Sequence, residues 1–566
     1  MEKYNPVTLS IFWDKLISIA DESFASMIRS SFSPIVRDAM DCVSMIFDKT
    51  GRSVAQAWSG PPSFIGTLPF TLSYILEEFP AETLKPGDAL ALNDPWMGTG
   101  HLNDFSVVEP VFYDDELIAF SGTVSHLPDI GGIMWSAVAR SVYEEGLWIP
   151  PIKLMEEGER NEDVFRIIRQ NVRAPHQVIG DIMSNITACT VGGALITQFI
   201  KEYKIPDFYL LASQIVNKTE EAIKSEVRKM PKGEYVREFD IEGYEEPHRI
   251  VCSVEIKGEE IVIDYEGTSE QAERGYNSPI PYTRSYSLYG LKSVIDPNTP
   301  NNYGTITPFT VKAPLGCILN PEPPAACAAR HRTGWFTSIA VWGALAQAVP
   351  DRVPAEPGLF APPAYTGIDA KGQSFAATAS AESSGGTGAH SDGDGINTTG
   401  SPTVVANTPV EIVEATWPLF VETRTLRPDS GGPGKYRGGL GGYGVTRIVN
   451  PSPIRIAFKT SRFEFPACGI SDGKPGSIRE LYINDERVHG LHMYVLKQGD
   501  KVIQKDAGGG GFGDPFERDI EMVVEDVKNG FVSLKAAKEQ YGVVIDIKTW
   551  KAHRIPKKEY EEEKAD

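Results

Sequence analysis

One stretch in the N-terminal third of the chain is predicted to form a single β-hairpin, and a hairpin dictates which side chains meet across it. Residues 106–113 and 117–125 are rich in β-branched and aromatic residues and flank a short acidic turn. If the turn is centred on Asp115, residue i faces residue 230 − i, so Asp104 lies opposite His126 at about 5 Å. A shift of one residue in this register would turn one of the two side chains to the other face.

The same hairpin predicts a metal site. His101 lies three positions before Asp104 in a glycine-rich loop, so it can fold over the place where Asp104 meets His126. Two imidazoles and one carboxylate form a ligand set for Zn²⁺, Mn²⁺ or Fe²⁺ with an open position. The alternative is that His126 simply pairs with Asp104 as an oriented core histidine. Each of three further acids could add a fourth ligand, orient a histidine from outside or occupy an ordinary turn. These acids are Asp41, Asp94 and Asp129.

The composition argues against several classes of function. With a net charge of −21, a basic nucleic-acid-binding surface is not expected. The N-terminus has no apolar signal core, and no uncharged apolar stretch is expected to be long enough to cross a bilayer, so no membrane is predicted as a partner. The six cysteines are scattered without a Cys-x-x-Cys pair, which suits a reducing compartment. We therefore expect a cytoplasmic protein that acts on a small molecule.

The 566 residues are enough for several lobes, and the pattern predicts a mixed α/β (α+β) architecture with β-hairpins, mixed sheets and flanking helices. Residues 1–230 are predicted to form an N-terminal α/β lobe that carries the metal site. Residues 231–515 are predicted to form a β-rich lobe with glycine-rich turns and cleft loops, in which 373–402 is an ordered loop region. Residues 516–566 are predicted to form a helical tail whose last part, 551–566, is charged and frayed.

Individual elements follow from hydrophobic periodicity. A strand is predicted at 42–47, and a second hairpin joins 250–256 to 260–265. Helices are predicted at 7–32, 70–78, 161–169, 180–203, 208–230, 284–295, 333–348 and 520–541.

Two glycine-rich runs resemble phosphate loops but lack their chemistry. Residues 507–514 and 431–442 both lack the Gly-Lys-Ser/Thr ending that reaches phosphates and Mg²⁺, and Pro515 follows the first run directly. We interpret both runs as close backbone crossings and structural turns. The chain is therefore predicted to have no ATP site of its own.

Three consecutive basic residues interrupt an apolar run just before a predicted helix. Arg330, His331 and Arg332 would be unfavourable for the helix dipole at this position, unless an anion such as bicarbonate, a carboxylate or phosphate binds there. The alternative is that they pair with some of the chain's many acids. Cys327 lies beside them, but nothing in the sequence selects it as a nucleophile over a buried thiol.

Ordered motifs along nearly the whole chain resemble the hydantoinase B family. That family includes the B-type subunits of ATP-dependent hydantoinases and lactamases, one half of 5-oxoprolinase, and the metal-binding subunits of acetone and acetophenone carboxylases. The matching motifs include Asp41-Cys-Val-Ser-Met-Ile-Phe-Asp48, Asn93-Asp-Pro-Trp-Met-Gly-Thr-Gly-His-Leu-Asn-Asp104, His126-Leu-Pro-Asp-Ile-Gly-Gly132, Glu145-Gly-Leu-Trp-Ile-Pro-Pro151, Arg427-Pro-Asp-Ser-Gly-Gly-Pro-Gly-Lys-Tyr-Arg-Gly-Gly439 and Gly508-Gly-Gly-Gly-Phe-Gly-Asp-Pro515.

The resemblance implies a hydantoinase B-like fold, a metal centre and a partner. His101, Asp104 and His126 match the His-x-x-Asp…His ligands of the ketone carboxylases, and Asp41 falls at an acidic position that would supply a further ligand. The resemblance also implies a hydantoinase A-like subunit that uses ATP-Mg²⁺ to phosphorylate the substrate. Phosphorylation would activate an otherwise inert amide or ketone, and the metal would act as Lewis acid and template.

The sequence favours one branch of that family without excluding the other. Amide-hydrolysing members usually carry a Ser-Ala-Gly-Asn-like stretch, whereas residues 327–332 here read Cys-Ala-Ala-Arg-His-Arg. The cationic cluster suits bicarbonate, which favours carboxylation of a ketone through a phosphorylated enol, with additional small subunits. The alternative is a B-type subunit that hydrolyses a cyclic amide in a hydantoinase, 5-oxoprolinase or lactamase. A scaffold for the ATPase subunit and a stand-alone metallohydrolase are weaker alternatives.

Overall fold

The computed structural model describes residues 4–378, 384–403, 405–557 and 560. Within them the α-helices, α1 to α14 in chain order, are Pro6–Ser30, Pro34–Arg37, Pro62–Ile65, Leu68–Glu78, Val142–Glu145, Glu162–Asn171, Pro175–Tyr203, Phe208–Lys229, Ile280–Ile295, Tyr303–Ile306, His331–Leu345, Val410–Thr416, Ile520–Lys528 and Leu534–Tyr541. The strands, β1 to β22, are Cys42–Asp48, Ser53–Gln56, Ala89–Leu92, Asp104–Tyr113, Glu116–His126, Ile152–Glu156, Glu159–Arg160, Gly233–Ile241, His248–Lys257, Glu260–Asp264, Phe309–Lys312, Ala364–Ile368, Ser374–Thr378, Leu419–Leu426, Gly442–Ile448, Ile454–Ala457, Glu480–Ile483, Glu486–Arg487, Met493–Leu496, Lys501–Lys505, Val543–Asp546 and Lys551–Arg554.

The predicted mixed α+β class is confirmed. Among the described residues, a seven-stranded antiparallel sheet has the order β2-β1-β5-β4-β3-β6-β7, so the predicted hairpin β4–β5 lies at its centre. A four-stranded mixed sheet follows with the order β11-β10-β9-β8, in which β10 and β11 run parallel. The sheets β13-β12-β16-β19 and β14-β15-β20-β17-β18 complete the β-rich region.

The register of the central hairpin agrees with the prediction for a reason that the sequence did not reveal. The turn is the pair Asp114-Asp115, both residues with positive φ, and it pairs Phe112 with Leu117. Continued along the strands, that register would place Asp104 opposite Ser125. A β-bulge skips Ile118, restores the predicted register from Val111 onward, and brings Asp104 opposite His126.

Helix α7 covers one face of the central sheet. Residues 182–200 carry no charge, and the helix is long and apolar enough to span a membrane, contrary to the expectation from sequence. It is a core helix, because its polar groups bond inside the protein: Asn185 Nδ2 donates to Ser125 Oγ at 2.6 Å, and the Ala188 carbonyl accepts from Ser23 Oγ at 2.7 Å. Over half (56%) of the most apolar 18-residue stretch of this helix is buried, mainly against α1 and β4–β5.

A separate apolar core is formed mainly by residues 223–360. In it α9 and α11 pack against each other, and α11 lies on β8 and β9. Nearly all residues of helix α11 are buried, including its first two, His331 and Arg332. The predicted division of the chain at residues 230 and 515 stays a prediction.

Most predicted helices agree with the structure within a few residues, but the C-terminal tail differs. The helix predicted over 520–541 is two helices, α13 and α14, because Gly530 adopts a positive φ of 72° and ends the first. Residues 551–554, predicted to fray, pair as β22 with β21. Positions 558–559 and 561–566 of the predicted frayed end lie outside the described residues.

The glycine-rich runs form a lattice of touching backbones, as predicted. The N–H groups of residues 508–511 donate to the carbonyls of Ser477, Gly439, Glu356 and Lys474. Gly432 of the other run donates to the carbonyl of Gly509 at 2.8 Å. Since these donors are all used within the chain, they cannot form a cradle for a phosphate.

We predict that Gly509→Ala destabilises the protein by about 1–3 kcal/mol or more, because overpacking has costs of that order. A Cβ at this position would lie 1.9 Å from the Thr387 carbonyl oxygen, so backbone must move. Gly393→Ala is the matched control, since a Cβ there meets nothing within 4 Å. Thermal unfolding of both variants measures the effect, and equal midpoints would contradict the lattice interpretation.

Glu109 on β4 gives the hairpin a pH-dependent stability. Burial raises the pKa of Glu109 to about 7, against the hydrogen bond from Thr190 of α7. The folded protein therefore holds this proton more tightly than the unfolded chain, and stability falls as pH rises from about 4.5 to about 7. We expect the free energy of unfolding of Glu109→Gln, measured by thermal unfolding, to exceed that of the wild type by roughly 1 kcal/mol at pH 8 and by less at pH 5. A constant difference across this range would refute the assignment.

Candidate metal centre

The hairpin and the loop before it bring His101, Asp104 and His126 together. Asp104 opens β4 and His126 closes β5, and the two residues are direct partners across the strands. Asp104 Oδ1 lies 2.9 Å from His126 Nδ1 and 2.8 Å from His101 Nε2. One donor atom of each residue lies within 4.8 Å of the others, and all three side chains are buried.

The state of His101 is the one that a metal ligand needs. Its Nδ1 lies 2.9 Å from the Ala328 carbonyl, which can only accept, so this nitrogen carries the proton. Its Nε2 is buried without a hydrogen-bond partner, because the short contact to Asp104 lacks hydrogen-bond geometry. Burial, aided by Arg330, lowers the pKa of His101 to about 4, so the ring is neutral. A free lone pair oriented by a backbone carbonyl fits a divalent metal ion.

The second oxygen of Asp104 ties the hairpin to α11. Asp104 Oδ2 accepts from Thr99 Oγ1 at 2.5 Å and from the Arg330 guanidinium. Arg330 also donates to the Thr99 carbonyl and stacks on the Tyr282 ring at 4.0 Å. Burial opposes ionisation of Asp104, but the Arg330 guanidinium and the hydrogen bond with His126 outweigh it and hold the pKa of this carboxyl well below its usual range.

Asp41 is the acid that reaches the cluster. It directly precedes β1, its backbone carbonyl accepts from the His126 N–H at 3.0 Å, and its Oδ2 lies 3.9 Å from His126 Nδ1. Burial is the main cause that raises the pKa of Asp41 to about 6, with a contribution from the Asp104 charge. Its carboxylate therefore lies beside the three predicted ligands without a direct hydrogen bond to them.

The other two acids, Asp94 and Asp129, stabilise turns. Asp94 Oδ1 accepts from the backbone of Trp96 and Met97, and its Oδ2 accepts from Trp148 Nε1 at 2.7 Å. Asp129 pairs with the Arg173 guanidinium and accepts from the Arg173 backbone. Of the alternatives open for Asp94 and Asp129, the structure selects the ordinary turn residue.

The basic run 330–332 is divided by the start of α11. Arg330 and His331 line the same cavity as the histidine cluster, whereas Arg332 stacks on Tyr276 at 4.7 Å and lies 3.9 Å from Glu242 Oε2. Both arginines thus have acidic partners, which was the alternative to an anion site. His331 differs, because both of its ring nitrogens are buried without a hydrogen-bond partner.

Several supporting residues were missed by the sequence reasoning. Glu145 Oε1 accepts from the backbone N–H groups of Cys327 and Ala328, each at 2.7 Å, and so holds the turn whose carbonyl orients His101. Burial raises the pKa of Glu145 to about 8. Trp135 Nε1 donates to the same Ala328 carbonyl at 2.7 Å. The sequence signal that could have pointed to Glu145 is its place in a family motif. Its hydrogen-bond partners, however, lie about 180 residues further along the chain.

A cavity of about 40 Å³ adjoins the cluster, with room for an ion and a few water molecules or the polar end of a substrate. Its polar wall includes the three predicted ligands together with Asp41, Arg330 and His331. Its apolar wall is largely aromatic and includes Phe64, Trp135, Tyr282, Tyr286, Trp335 and Phe360. The cavity is therefore built from both sides of the lobe boundary predicted at residue 230.

Relatives with names that point to cyclic amide substrates match most of the chain. The beta subunit of the caprolactamase of Pseudomonas jessenii is 28% identical over 96% of this chain and 97% of its own length. A Pseudomonas sp. (strain NS671) protein, provisionally named as the B-type component of a D-/L-hydantoinase, is 30% identical over 96% of each chain. The 5-oxoprolinase of Saccharomyces cerevisiae is 28% identical over 90% of this chain, which spans 42% of that protein.

Two solved structures are similar to this chain over nearly its whole length. The crystal structure of the ATP-dependent caprolactamase from Pseudomonas jessenii covers all of this chain with a TM-score of 0.91 and 25% identity. Nucleotide-free acetone carboxylase covers 99% of this chain with a TM-score of 0.88, but its 19% identity extends the likeness only to the fold. The family model for hydantoinase B/oxoprolinase matches residues 5–515, and the chain belongs to the hydantoinase B/oxoprolinase family.

Proposed function

We propose that this chain is the metal-binding, ring-opening subunit of an ATP-dependent cyclic amide hydrolase. The observation that carries the proposal is the buried cluster of His101, Asp104 and His126, in which His101 Nε2 has no hydrogen-bond partner. The cluster belongs to a chain that resembles one of the caprolactamase subunits over its full length. We infer a cytoplasmic complex with an ATP-binding, hydantoinase A-like partner that phosphorylates the amide oxygen with ATP-Mg²⁺.

Three residues of the cluster are proposed to hold a divalent ion, with Asp41 as a further ligand. The neutral imidazole of His101, the imidazole of His126 and the ionised carboxylate of Asp104 suit Zn²⁺, Mn²⁺ or Fe²⁺. When bound, such an ion would supply a Lewis acid that polarises the activated carbon–oxygen bond. Arg330 keeps Asp104 ionised, and Ala328 keeps the lone pair of His101 directed at the site. The aromatic wall would exclude bulk water that could destroy the phosphorylated intermediate.

Carboxylation of a ketone, which the sequence favoured, remains the second candidate and lacks confirmation. The fold likeness to acetone carboxylase supports it. Its main sequence argument was a free cationic cluster for bicarbonate, but Arg330 pairs with Asp104 and Arg332 with Glu242. Additional small subunits, expected for that branch, stay a prediction. We therefore prefer the cyclic amide hydrolase, because the relatives that match this chain over their full length are named for cyclic amide substrates.

We predict that the purified complex of this chain with its ATP-binding partner opens a hydantoin or lactam ring only when ATP is supplied. The physical reason is that an unactivated amide is a poor electrophile. Ring opening is followed by chromatography, and ATP use by ADP release. A parallel reaction contains ATP, a ketone and ¹⁴C-labelled bicarbonate. Incorporation of label, with the cyclic amides left intact, would reverse our preference in favour of the carboxylase.

We predict that His101→Ala and His126→Ala each lower the content of tightly bound divalent metal at least about tenfold, because removing a ligand or its orientation typically costs that much affinity. Ring opening should fall with it. His553→Ala is the matched control, since its side chain is exposed on the C-terminal β22. Elemental analysis of each purified variant makes the comparison. Undiminished metal in both site variants would show that the cluster is not the binding site.

A further inference from the structure

His331 is the polar side chain of the cavity whose role the proposed metal site leaves open. It is 3% exposed, lines the cavity at the first position of α11, and has no hydrogen-bond partner at either ring nitrogen. Leaving two polar atoms of a buried imidazole unpaired is costly, and such an arrangement persists where the group has a function. Arg330, its neighbour, is by contrast fully engaged with Asp104 and Thr99.

The position of His331 places it beside the predicted ligands. Its ring centroid lies 5.1 Å from that of Trp135, and the His126 centroid lies 4.8 Å from the same ring. Trp335 closes the other side of His331 at 4.9 Å. Both indole rings are tilted against the imidazole, by 54° and 56°, and they hold His331 in place in the cavity wall.

His331 is in the neutral form, which is the form that can accept a proton. Burial, with smaller contributions from Lys459 and Arg330, lowers the pKa of His331 well below its ordinary value. The ring is therefore neutral, with one nitrogen that can accept a proton and one that carries a proton. A bound cation nearby would act in the same direction.

We propose that His331 is the catalytic proton carrier for ring opening, an assignment that rests on the proposed function. Water adds its oxygen to the carbon of the O-phosphorylated amide, and the C=N electron pair moves to nitrogen. His331 takes one proton from the water and passes it to that nitrogen. It then takes the remaining hydroxyl proton and delivers it to nitrogen as the C–N bond breaks. The products are an amine and an acyl phosphate, so both protons of the water end on nitrogen.

The test uses the complex with its ATP-binding partner, a hydantoin or lactam as substrate, and three variants. His331→Gln keeps the size and polarity of the side chain but cannot carry a proton, so we expect kcat to fall about 10²-fold or more with little change in KM. His331→Ala should lose as much, and added free imidazole should restore at least tenfold of the loss. Metal content and thermal unfolding should stay as in the wild type. His553→Ala should keep wild-type kcat.

The outcomes separate this assignment from the proposed function. If the wild-type complex opens the ring and His331→Gln retains more than one tenth of kcat, the assignment is wrong and the proposed function stands. Loss of kcat in a folded, metal-loaded His331→Ala that imidazole does not rescue would also overturn the assignment, since it points to a structural role. Absence of ATP-dependent ring opening by the wild type would overturn both.

Discussion

The carboxylate of Asp104 joins two parts of the chain that are distant in sequence. One of its oxygens faces His126 and His101, and the other accepts from Arg330 at the start of α11. Each interaction depends on the others, because a buried carboxylate is stable as an ion only when it is paired and hydrogen-bonded. The loop from Ala328 to His331 enters the site through this pair and contributes the carbonyl that orients His101. Without it, His101 would lose the carbonyl that orients its ring, and Asp104 would lose its cationic partner.

The local part of this arrangement could be predicted from the sequence, because a hairpin converts sequence spacing into spatial proximity. Asp104 and His126 were placed opposite each other correctly, yet two errors cancelled: the turn lies half a residue earlier than assumed, and the Ile118 bulge compensates for it. Strongly periodic helices such as α1 and α8 were also predictable. The break between α13 and α14 was not, because a single glycine with positive φ decided it.

The long-range part could not be predicted, since no local pattern specifies which distant backbone carbonyl meets an imidazole. The chemistry of residues 330–332 illustrates the limit. The sequence shows their charges, but whether they bind an anion or an acidic side chain depends on their tertiary neighbours, which are Asp104 and Glu242. His331, between two arginines with acidic partners, is the member of the run in which no side-chain nitrogen has a hydrogen-bond partner.

The bulge at Ile118 limits how this family member can diverge. The tip of the hairpin is exposed and lies at the far end of the strands from the cluster, where a single added or lost residue would ordinarily be harmless. Here the alignment of Asp104 with His126 depends on one unpaired residue between tip and base. Replacement of side chains at the tip is therefore cheap, while a change of length between Val111 and Ala119 would travel along the ladder and disassemble the site at its other end.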